Sequence, residues 1–151
     1  MRLTRYTDYA LRVLMYLSAR PERHCAISEI SGNYRISHNH LTKVVHDLGR
    51  SGLVRAARGR NGGITLARPA ADINVGEVVR MTEDSFQVVD CDTCIVAPGC
   101  GLSSVMAEAS NAFLAVLDRY TLADLPHGEA DFMALFPAPQ EDGERLRGMN
   151  H

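Results

Sequence analysis

The sequence has no tryptophan, and aromatic residues make up only 6% of the 151-residue chain. The core must therefore be built from Leu, Val, Ile and Ala, and an apolar content of 46% is sufficient for a compact domain. No uninterrupted apolar run is long enough to span a membrane. The basic start, residues 1–21, is broken by Asp8 and Arg12 and has no cleavage site. We expect a cytoplasmic protein without membrane contact.

Cysteine is also scarce, yet three of the four cysteines, Cys91, Cys94 and Cys100, lie within the stretch CDTCIVAPGC. In a reducing cytoplasm, clustered thiols indicate metal or redox chemistry more than a structural disulfide. Thiolates are the ligands of zinc and of iron–sulfur clusters, and a loop with proline and glycine can fold around either. Cys25 is remote from the other three and is predicted to be a buried apolar residue.

A structural zinc site would need a fourth ligand beside these cysteines. The histidines closest in sequence, His46 and His127, lie neither within nor beside the loop. A distant histidine brought close by folding keeps zinc open, and an oxygen ligand is the other alternative. A weak fourth ligand suits a labile, sensing cluster better than a structural metal.

Charge is divided unevenly along the chain. Residues 1–70 contain 12 Lys or Arg against 4 Asp or Glu, whereas residues 71–151 contain 4 against 14. A basic half is typical of a nucleic-acid contact, because Lys and Arg displace counterions from phosphate. Ordinary surface charge that happens to segregate is the alternative.

Three helices are predicted in the first fifty residues. The first begins at an N-cap Thr7 and has apolar residues at helical spacing. A short helix capped by Ser28, a tight turn and a longer helix capped by Ser37 follow, in the order of a helix-turn-helix. The longer helix has an apolar stripe of Leu41, Val44, Val45 and Leu48.

The polar face of the longer helix carries hydrogen-bonding side chains and no Glu. A solvated face would more often carry Glu and Lys pairs, whereas these side chains suit base edges and phosphates in a major groove. With their neighbours in the preceding helix and turn, the predicted DNA-binding residues are Ser28, Arg35, Ser37, His38, Asn39, His40, Thr42, Lys43 and His46.

A β-hairpin is predicted directly after the helix-turn-helix. Two short strand-like runs, Leu53–Ala57 and Ile64–Ala67, flank RGRNGG, and Asn61-Gly62 is a strong two-residue turn signal. A hairpin in this position indicates the wing of a winged helix, which reaches phosphate or the minor groove. The residues of its tip that we expect to contact DNA are Arg58, Arg60, Asn61 and Gly62.

A long helix is predicted from Leu102, after a short helix in INVGEVVRMTED and the irregular cysteine stretch. Its apolar stripe is longer than a small winged domain can cover. We therefore expect the helix to form a homodimer contact, since a twofold protein would match a palindromic operator. Packing back on its own domain is the alternative. The predicted dimerisation residues are Leu102, Val105, Met106, Ala109, Phe113, Val116, Leu117 and Tyr120.

The predicted fold is mainly α with a small β-hairpin wing. A winged helix-turn-helix DNA-binding domain occupies residues 1–70, and a linking helix with the cysteine loop occupies 71–101. A dimerisation helix covers 102–125, and residues 126–151 are predicted to be a largely flexible tail.

Several stretches resemble the winged-helix iron–sulfur regulators, and among them the nitric-oxide-sensing repressors. They are LTRYTDYALRVLMYL, ISEISGNYRISHNHLTKVVHDLGRSGLV, RGRNGGITLARP and FLAVLDRYTLADL, with the three cysteines between them. The resemblance covers about residues 1–125. The first two cysteines are separated by only two residues, whereas many relatives have a longer gap.

The resemblance implies a homodimer with one iron–sulfur cluster per subunit, 2Fe–2S or 4Fe–4S, held by Cys91, Cys94 and Cys100. It also implies that the clustered form binds double-stranded operator DNA and represses genes of nitric oxide detoxification. Nitric oxide would nitrosylate the cluster and release the DNA. In some relatives an acidic residue near the chain start completes the cluster, and Asp8 matches that position. Read without the resemblance, Asp8 is a carboxylate stabilised by the helix dipole.

Two other regulatory functions remain open. A metal-free redox switch with a Cys91–Cys94 disulfide would be colourless and respond to thiol reagents. A sensor of iron or cluster status, like RirA or IscR, is the other; IscR relatives tend to carry a histidine soon after the third cysteine, where this chain has Gly101, Leu102 and Ser103. No nucleophile–base constellation or phosphate-binding loop supports an enzyme.

Overall fold

The computed structural model describes residues 2–125 and 134–136. Five α-helices and one two-stranded hairpin are present in this part of the chain, together with three short 3₁₀ turns. The elements are α1 (Arg5–Ser18), α2 (Ile27–Tyr34), α3 (His38–Arg50), β1 (Val54–Ala57), β2 (Gly63–Leu66), α4 (Val75–Thr82) and α5 (Leu102–Leu117), and the turns span Ala70–Asp72, Ala97–Gly99 and Leu122–Asp124. The mainly helical fold with a hairpin wing is therefore confirmed.

Helix α1 is the centre of the core. Its apolar residues at helical spacing are Ala10, Val13, Leu14 and Leu17. They are fully or almost fully buried, with Leu17 only 1% exposed, and the helix packs with α3, α4 and the hairpin. The predicted N-cap Thr7 is wrong, because the helix starts three residues earlier and Thr4 is the cap. Thr7 lies inside the first turn and is fully buried.

The N-terminus of α1 is also capped by a residue distant in sequence. Glu83, which follows the last turn of α4, accepts hydrogen bonds from the Thr4 amide at 2.7 Å and from the Thr4 hydroxyl at 2.8 Å. The Thr7 hydroxyl donates to the same carboxylate oxygen. A carboxylate is favoured here because the first amides of a helix lack partners within the helix and the helix dipole is positive at this end.

The helix-turn-helix is formed by α2 and α3, as predicted. Helix α2 begins at Ile27 after an N-cap Ala26, so Ser28 lies in the first turn and the predicted cap is wrong. Arg35 has a left-handed backbone with φ of 54° at the end of α2 and turns the chain towards α3. Ser37 occupies the predicted N-cap position of α3, without a side-chain cap hydrogen bond.

The hairpin pairs β1 with β2 in antiparallel register, Val54 opposite Leu66 and Ala57 opposite Gly63. The predicted two-residue turn at Asn61-Gly62 is wrong. Five residues, 58–62, connect the strands, and positive φ angles occur at Gly59 and Gly63 instead. The glycines of RGRNGG thus provide the left-handed positions, but at different places in the loop.

Helix α4 fastens the end of α5 to the winged domain. Arg80 of α4 forms a bidentate ion pair with Asp118, the C-cap of α5, at 2.5 Å and 2.7 Å. The side-chain amide of Asn74 donates a hydrogen bond to the backbone carbonyl of Asp118 at 2.7 Å. Arg80 lowers the pKa of the Asp118 carboxyl, because the guanidinium hydrogen bonds stabilise the charged form.

Helix α5 contacts its own chain along one narrow face. Its buried residues are Ser110 and Leu114, which are one turn apart and were not part of the predicted stripe. Met106, Phe113 and Leu117 are half-buried at the edge of that face. The other members of the stripe, Leu102, Val105, Ala109, Val116 and Tyr120, are exposed.

The tail prediction for residues 126–151 lies largely outside the described residues. Of the short described part, Leu135 is 78% exposed, whereas the Phe136 ring lies 5.2 Å from the rings of both Tyr16 and Tyr34. No described helix is long and apolar enough to cross a membrane.

Replacing Glu83 with alanine is expected to destabilise the fold. Loss of this cap should cost about 1 kcal/mol, the usual contribution of an N-cap, and lower the thermal midpoint by several degrees. Partial burial of Glu83 opposes ionisation, but hydrogen bonds from Thr7 and Thr4 hold the pKa of its carboxyl below its ordinary value. The stabilisation is therefore present above the unfolded pKa of about 4.3 and is lost as the pH falls through the lower folded value.

Thermal unfolding of the wild type and Glu83→Ala at several pH values measures this effect. Asp84→Ala is the matched control, since Asp84 is the exposed neighbouring carboxylate. An equal loss in both variants, or a Glu83→Ala effect that persists unchanged at low pH, would contradict the proposed cap.

Candidate DNA-binding surface and cysteine loop

The polar face of α3 is fully presented to solvent. His38, Asn39, His40, Thr42, Lys43 and His46 are all exposed, and Ser37 at the N-cap is exposed beside them. The opposite stripe is buried, with Leu41 at 0% and Val45 at 8% exposure. The Thr42 hydroxyl donates to the His38 carbonyl at 2.8 Å, so only its oxygen lone pairs remain for an outside donor. The face has the shape and chemistry of a recognition helix.

Two further residues from the predicted set, Ser28 and Arg35, belong to α2 and the turn. Both are exposed. The turn is held by the Ser31 hydroxyl, which donates to the Ile36 carbonyl at 2.6 Å, and by the Ile36 amide, which donates to the Ser31 carbonyl at 3.0 Å. These hydrogen bonds fix the angle at which α3 leaves α2.

The wing is anchored to the rest of the domain through Cys25. The Cys25 amide donates to the Ile64 carbonyl at 2.9 Å, and the Ile64 amide donates to the Cys25 carbonyl at 2.9 Å. Cys25 is fully buried, as predicted, and burial raises the pKa of its thiol. This backbone bridge to the hairpin leaves no sequence signature, because it uses no side chain.

The tip of the wing is exposed at Arg58, Arg60 and Asn61, whereas Gly62 is half-buried. Gly63 has φ of 141°, and a Cβ atom on it would lie 2.6 Å from the Cys25 carbonyl oxygen. The close approach of two backbones therefore requires glycine at this position.

The cysteine loop, residues 91–100, is a series of turns that repeats every three residues. The Cys94 amide donates to the Cys91 carbonyl at 3.3 Å, the Ala97 amide to the Cys94 carbonyl at 3.1 Å, and the Cys100 amide to the Ala97 carbonyl at 3.2 Å. Residues three apart eclipse in 3₁₀ turns. The two cysteine spacings are both multiples of three, so each cysteine occupies an equivalent position in this series.

All three thiols in the loop are free of disulfides. Cys91 and Cys100 are half-buried and Cys94 is exposed. Within residues 2–125 and 134–136, no three His, Cys, Asp or Glu side chains lie close enough together to hold a metal. The donor chemistry of the loop fits a thiolate-ligated metal, but the thiols would have to draw together, as is usual where metal binding and local folding are coupled.

The segment before the loop lies against α5. The Ser110 hydroxyl donates to the Phe86 carbonyl at 3.0 Å. A cavity of about 400 Å³ separates residues 85–89 and Cys91 from α5, where Met106 and Asn111 line it. Cys91 thus borders an open space that a bound group could occupy.

Asp8 lies on the first turns of α1, with its side chain about half exposed. The Arg12 guanidinium lies 3.0 Å from the Asp8 carboxylate, one helical turn away. Asp8 is therefore in an ordinary i, i+4 ion pair, and among the described residues it does not join the loop cysteines in a group that could hold a metal.

Comparison with known proteins gives the family. The model of the Rrf2 family, described as iron-dependent transcriptional regulator, matches residues 3–128. The chain belongs to the Rrf2 family.

Similar relatives are named as regulators of transcription. The chain is 51% identical to the HTH-type transcriptional regulator NsrR of Bacillus subtilis, over 89% of this chain and 97% of that protein. It is 48% identical to NsrR of Shouchella clausii, over 89% and 95%. This Rrf2-family chain is thus a transcriptional regulator that binds DNA, and not an enzyme, as predicted. The group of repressors that the stretches in residues 1–125 resemble is the one named NsrR, and that resemblance is confirmed.

Solved structures show the same fold. T. potens IscR has a TM-score of 0.69 and 26% identity, covering 82% of this chain and 85% of that one. CymR of B. subtilis, a global cysteine regulator, has a TM-score of 0.69 at 24% identity, covering 83% and 95%.

Replacing Gly63 with alanine is expected to displace the wing. The positive φ and the contact with the Cys25 backbone should together cost at least about 1–3 kcal/mol, and DNA affinity should fall because the wing arginines move. Gly32→Ala is the matched control, since Gly32 lies in α2 with nothing within 4 Å of its added methyl group. Unfolding curves and DNA binding measure both effects. A Gly63→Ala protein as stable as the wild type would contradict this account of the wing.

Proposed function

We propose that this chain is a homodimeric, iron–sulfur-dependent repressor that nitric oxide releases from operator DNA in the cytoplasm. The observation that carries the proposal is the cysteine loop of an Rrf2-family chain, in which three free thiols lie three and six residues apart along one series of three-residue turns. High identity to proteins named NsrR supports the same function.

Cys91, Cys94 and Cys100 would hold the cluster, because thiolates are its usual ligands. Asp8 of α1 is the proposed fourth ligand, and it would have to exchange its ion pair with Arg12 for iron. When bound, the cluster supplies iron to which nitric oxide binds. A carboxylate fits such a site because oxygen is a weaker ligand than thiolate for this iron, so one position remains labile.

The chain's own contacts explain how the loop could control DNA binding. The segment between α4 and α5 is tied at its start to the N-terminus of α1 by Glu83, and α1 in turn packs against α3. Three residues further on it is tied to α5, where the Ser110 hydroxyl donates to the Phe86 carbonyl, and the cysteine loop then leads directly into α5 at Leu102. A change of loop conformation would therefore shift α5 relative to the DNA-binding domain.

Helix α5 is the proposed dimer contact. Its exposed apolar residues, which include Leu102, Val105 and Val116 at 47%, 58% and 44% exposure, are not covered by the described part of the same chain. A twofold partner would cover them and would place two recognition helices at the spacing of a palindromic operator. Loop conformation would then set that spacing.

Nitric oxide titration of the anaerobically purified protein tests this function. We expect a brown protein that binds operator DNA, loses its visible absorption on adding nitric oxide, and then releases the operator while nonspecific binding changes little. A gel shift on operator and random duplexes measures both. An equal loss on both duplexes would refute control through helix spacing, and a colourless protein responding only to thiol reagents would establish a redox switch instead.

Alanine substitution of each loop cysteine is expected to remove bound iron and visible absorption. Cys91→Ala, Cys94→Ala and Cys100→Ala should each lose operator binding, whereas the matched control Cys25→Ala should keep its iron, since Cys25 is a buried core residue. Iron content and absorption spectra give the result. Asp8→Asn should retain iron but change the spectrum if Asp8 is a ligand, and full retention of iron in all three loop variants would exclude the proposed site.

A further inference from the structure

A second concave site lies beside the recognition helix, between α1 and α3. The cavity has a volume of about 190 Å³. Its lining residues are Arg5, Tyr6 and Tyr9 from α1 and His40, Lys43 and Val44 from α3. His40 and Lys43 belong to the predicted DNA-binding residues, whereas the three α1 residues do not.

The cavity is lined by cations and phenols, and no carboxylate is among its described lining residues. Arg5 is exposed and forms no ion pair with any residue in the described ranges. The Lys43 ammonium lies 5.5 Å from the centre of the Tyr6 ring, which favours the cation at the mouth of the cavity. These features suit an anion.

The nearest acid on α3 is already engaged. Asp47, one turn beyond Lys43, accepts a hydrogen bond from the Tyr6 hydroxyl at 2.5 Å and lies 3.5 Å from His46 Nδ1. Burial and the contact with Asp47 raise the pKa of Tyr6 to about 12, so the phenol stays protonated and keeps this hydrogen bond. Tyr6 is therefore a wall of the cavity, held in place by Asp47.

The position of the cavity indicates which anion it meets. An α-helix nearly fills the major groove, which is about 12 Å wide. An element that packs beside a helix in the groove therefore faces the sugar–phosphate backbone at the groove wall. His40 and Lys43 lie on the same side of α3, because residues three apart are neighbours on a helix surface, and that side adjoins Arg5 and Tyr9.

We propose that Arg5, Tyr9 and Lys43 form a clamp for one backbone phosphodiester of the DNA. This inference rests on the proposed binding of α3 in the major groove. Arg5 and Lys43 supply charge-assisted hydrogen bonds and the Tyr9 hydroxyl supplies a neutral one. The clamp fixes the position and angle of α1 relative to the DNA strand that borders the groove. Because every DNA sequence has this phosphate, the clamp contributes affinity and sets the register of the protein on the DNA, but it gives no base specificity.

Arg5→Gln tests the clamp through the salt dependence of binding. Affinity for operator and random duplex should fall by the same factor, about tenfold for one charge-assisted hydrogen bond. The slope of log K against log salt should decrease by at most about 0.9, the value for one released phosphate contact, because Lys43 stays on the same phosphate. Arg119→Gln is the matched control, an exposed arginine at the far end of α5, and it should leave both quantities unchanged.

A second arm tests whether the residues share one phosphate. If they do, Arg5→Gln with Lys43→Gln should lose about 0.9 in slope, and independent contacts would lose about 1.8. Replacing operator phosphates singly by neutral methylphosphonates should reveal one position that weakens the wild type most, Arg5→Gln less, and the variant lacking both cations least. A site for free phosphate would show no such position. Tyr9→Phe should weaken binding without changing the slope.

The outcomes separate this inference from the function on which it rests. If the wild type does not bind DNA, the proposed function fails. If the wild type binds and Arg5→Gln has the same affinity and slope, only the clamp is overturned. A loss on operator DNA alone would make Arg5 a base-reading residue and would also overturn it. Equal melting temperatures of the two proteins, expected for an exposed side chain, exclude misfolding, and Arg5→Lys should recover the slope.

Discussion

The described chain is organised around the buried face of α1. This one helix packs against α3, the hairpin and α4, so the helix-turn-helix, the wing and α4 share a single core. At its far end, Tyr16 is fully buried and its hydroxyl donates to Glu29, which also pairs with Arg23. The hydrogen bond with Arg23 lowers the pKa of Glu29 most strongly, so α1 and α2 are joined by an ionised, satisfied network.

The two ends of α1 serve different parts of the molecule. The C-terminal half holds the helix-turn-helix through apolar packing, which is rigid because close-packed side chains deform little. The N-terminal end depends on the carboxylate of Glu83, which comes from the segment that leads to the cysteine loop. Polar contacts of this kind can exchange partners more readily than a packed core. Under the proposed function, a change in the loop would reach the DNA-binding domain through this contact.

The fold could be predicted because its elements follow local rules. The stripe of α3 has helical spacing, and its four apolar residues are buried. The hairpin was expected from two strand-like runs around a glycine-rich loop, and β1 and β2 form it. The errors concern boundaries: the cap of α1 is Thr4 because a distant carboxylate extends the helix, and the turn of the wing follows Gly59 and Gly63 because β2 must approach the Cys25 backbone.

For this protein the sequence by itself determined the elements, the cysteine spacing and the exposed polar face of α3, since each follows from periodicity or adjacency along the chain. Tertiary structure alone decided which distant groups meet. Glu83 caps α1, Asp118 pairs with Arg80, Cys25 bridges to Ile64, and Arg5 and Lys43 line one cavity. These contacts join residues 38 to 79 positions apart, and no local pattern marks them because each partner is an ordinary polar or backbone group until the core brings it into place.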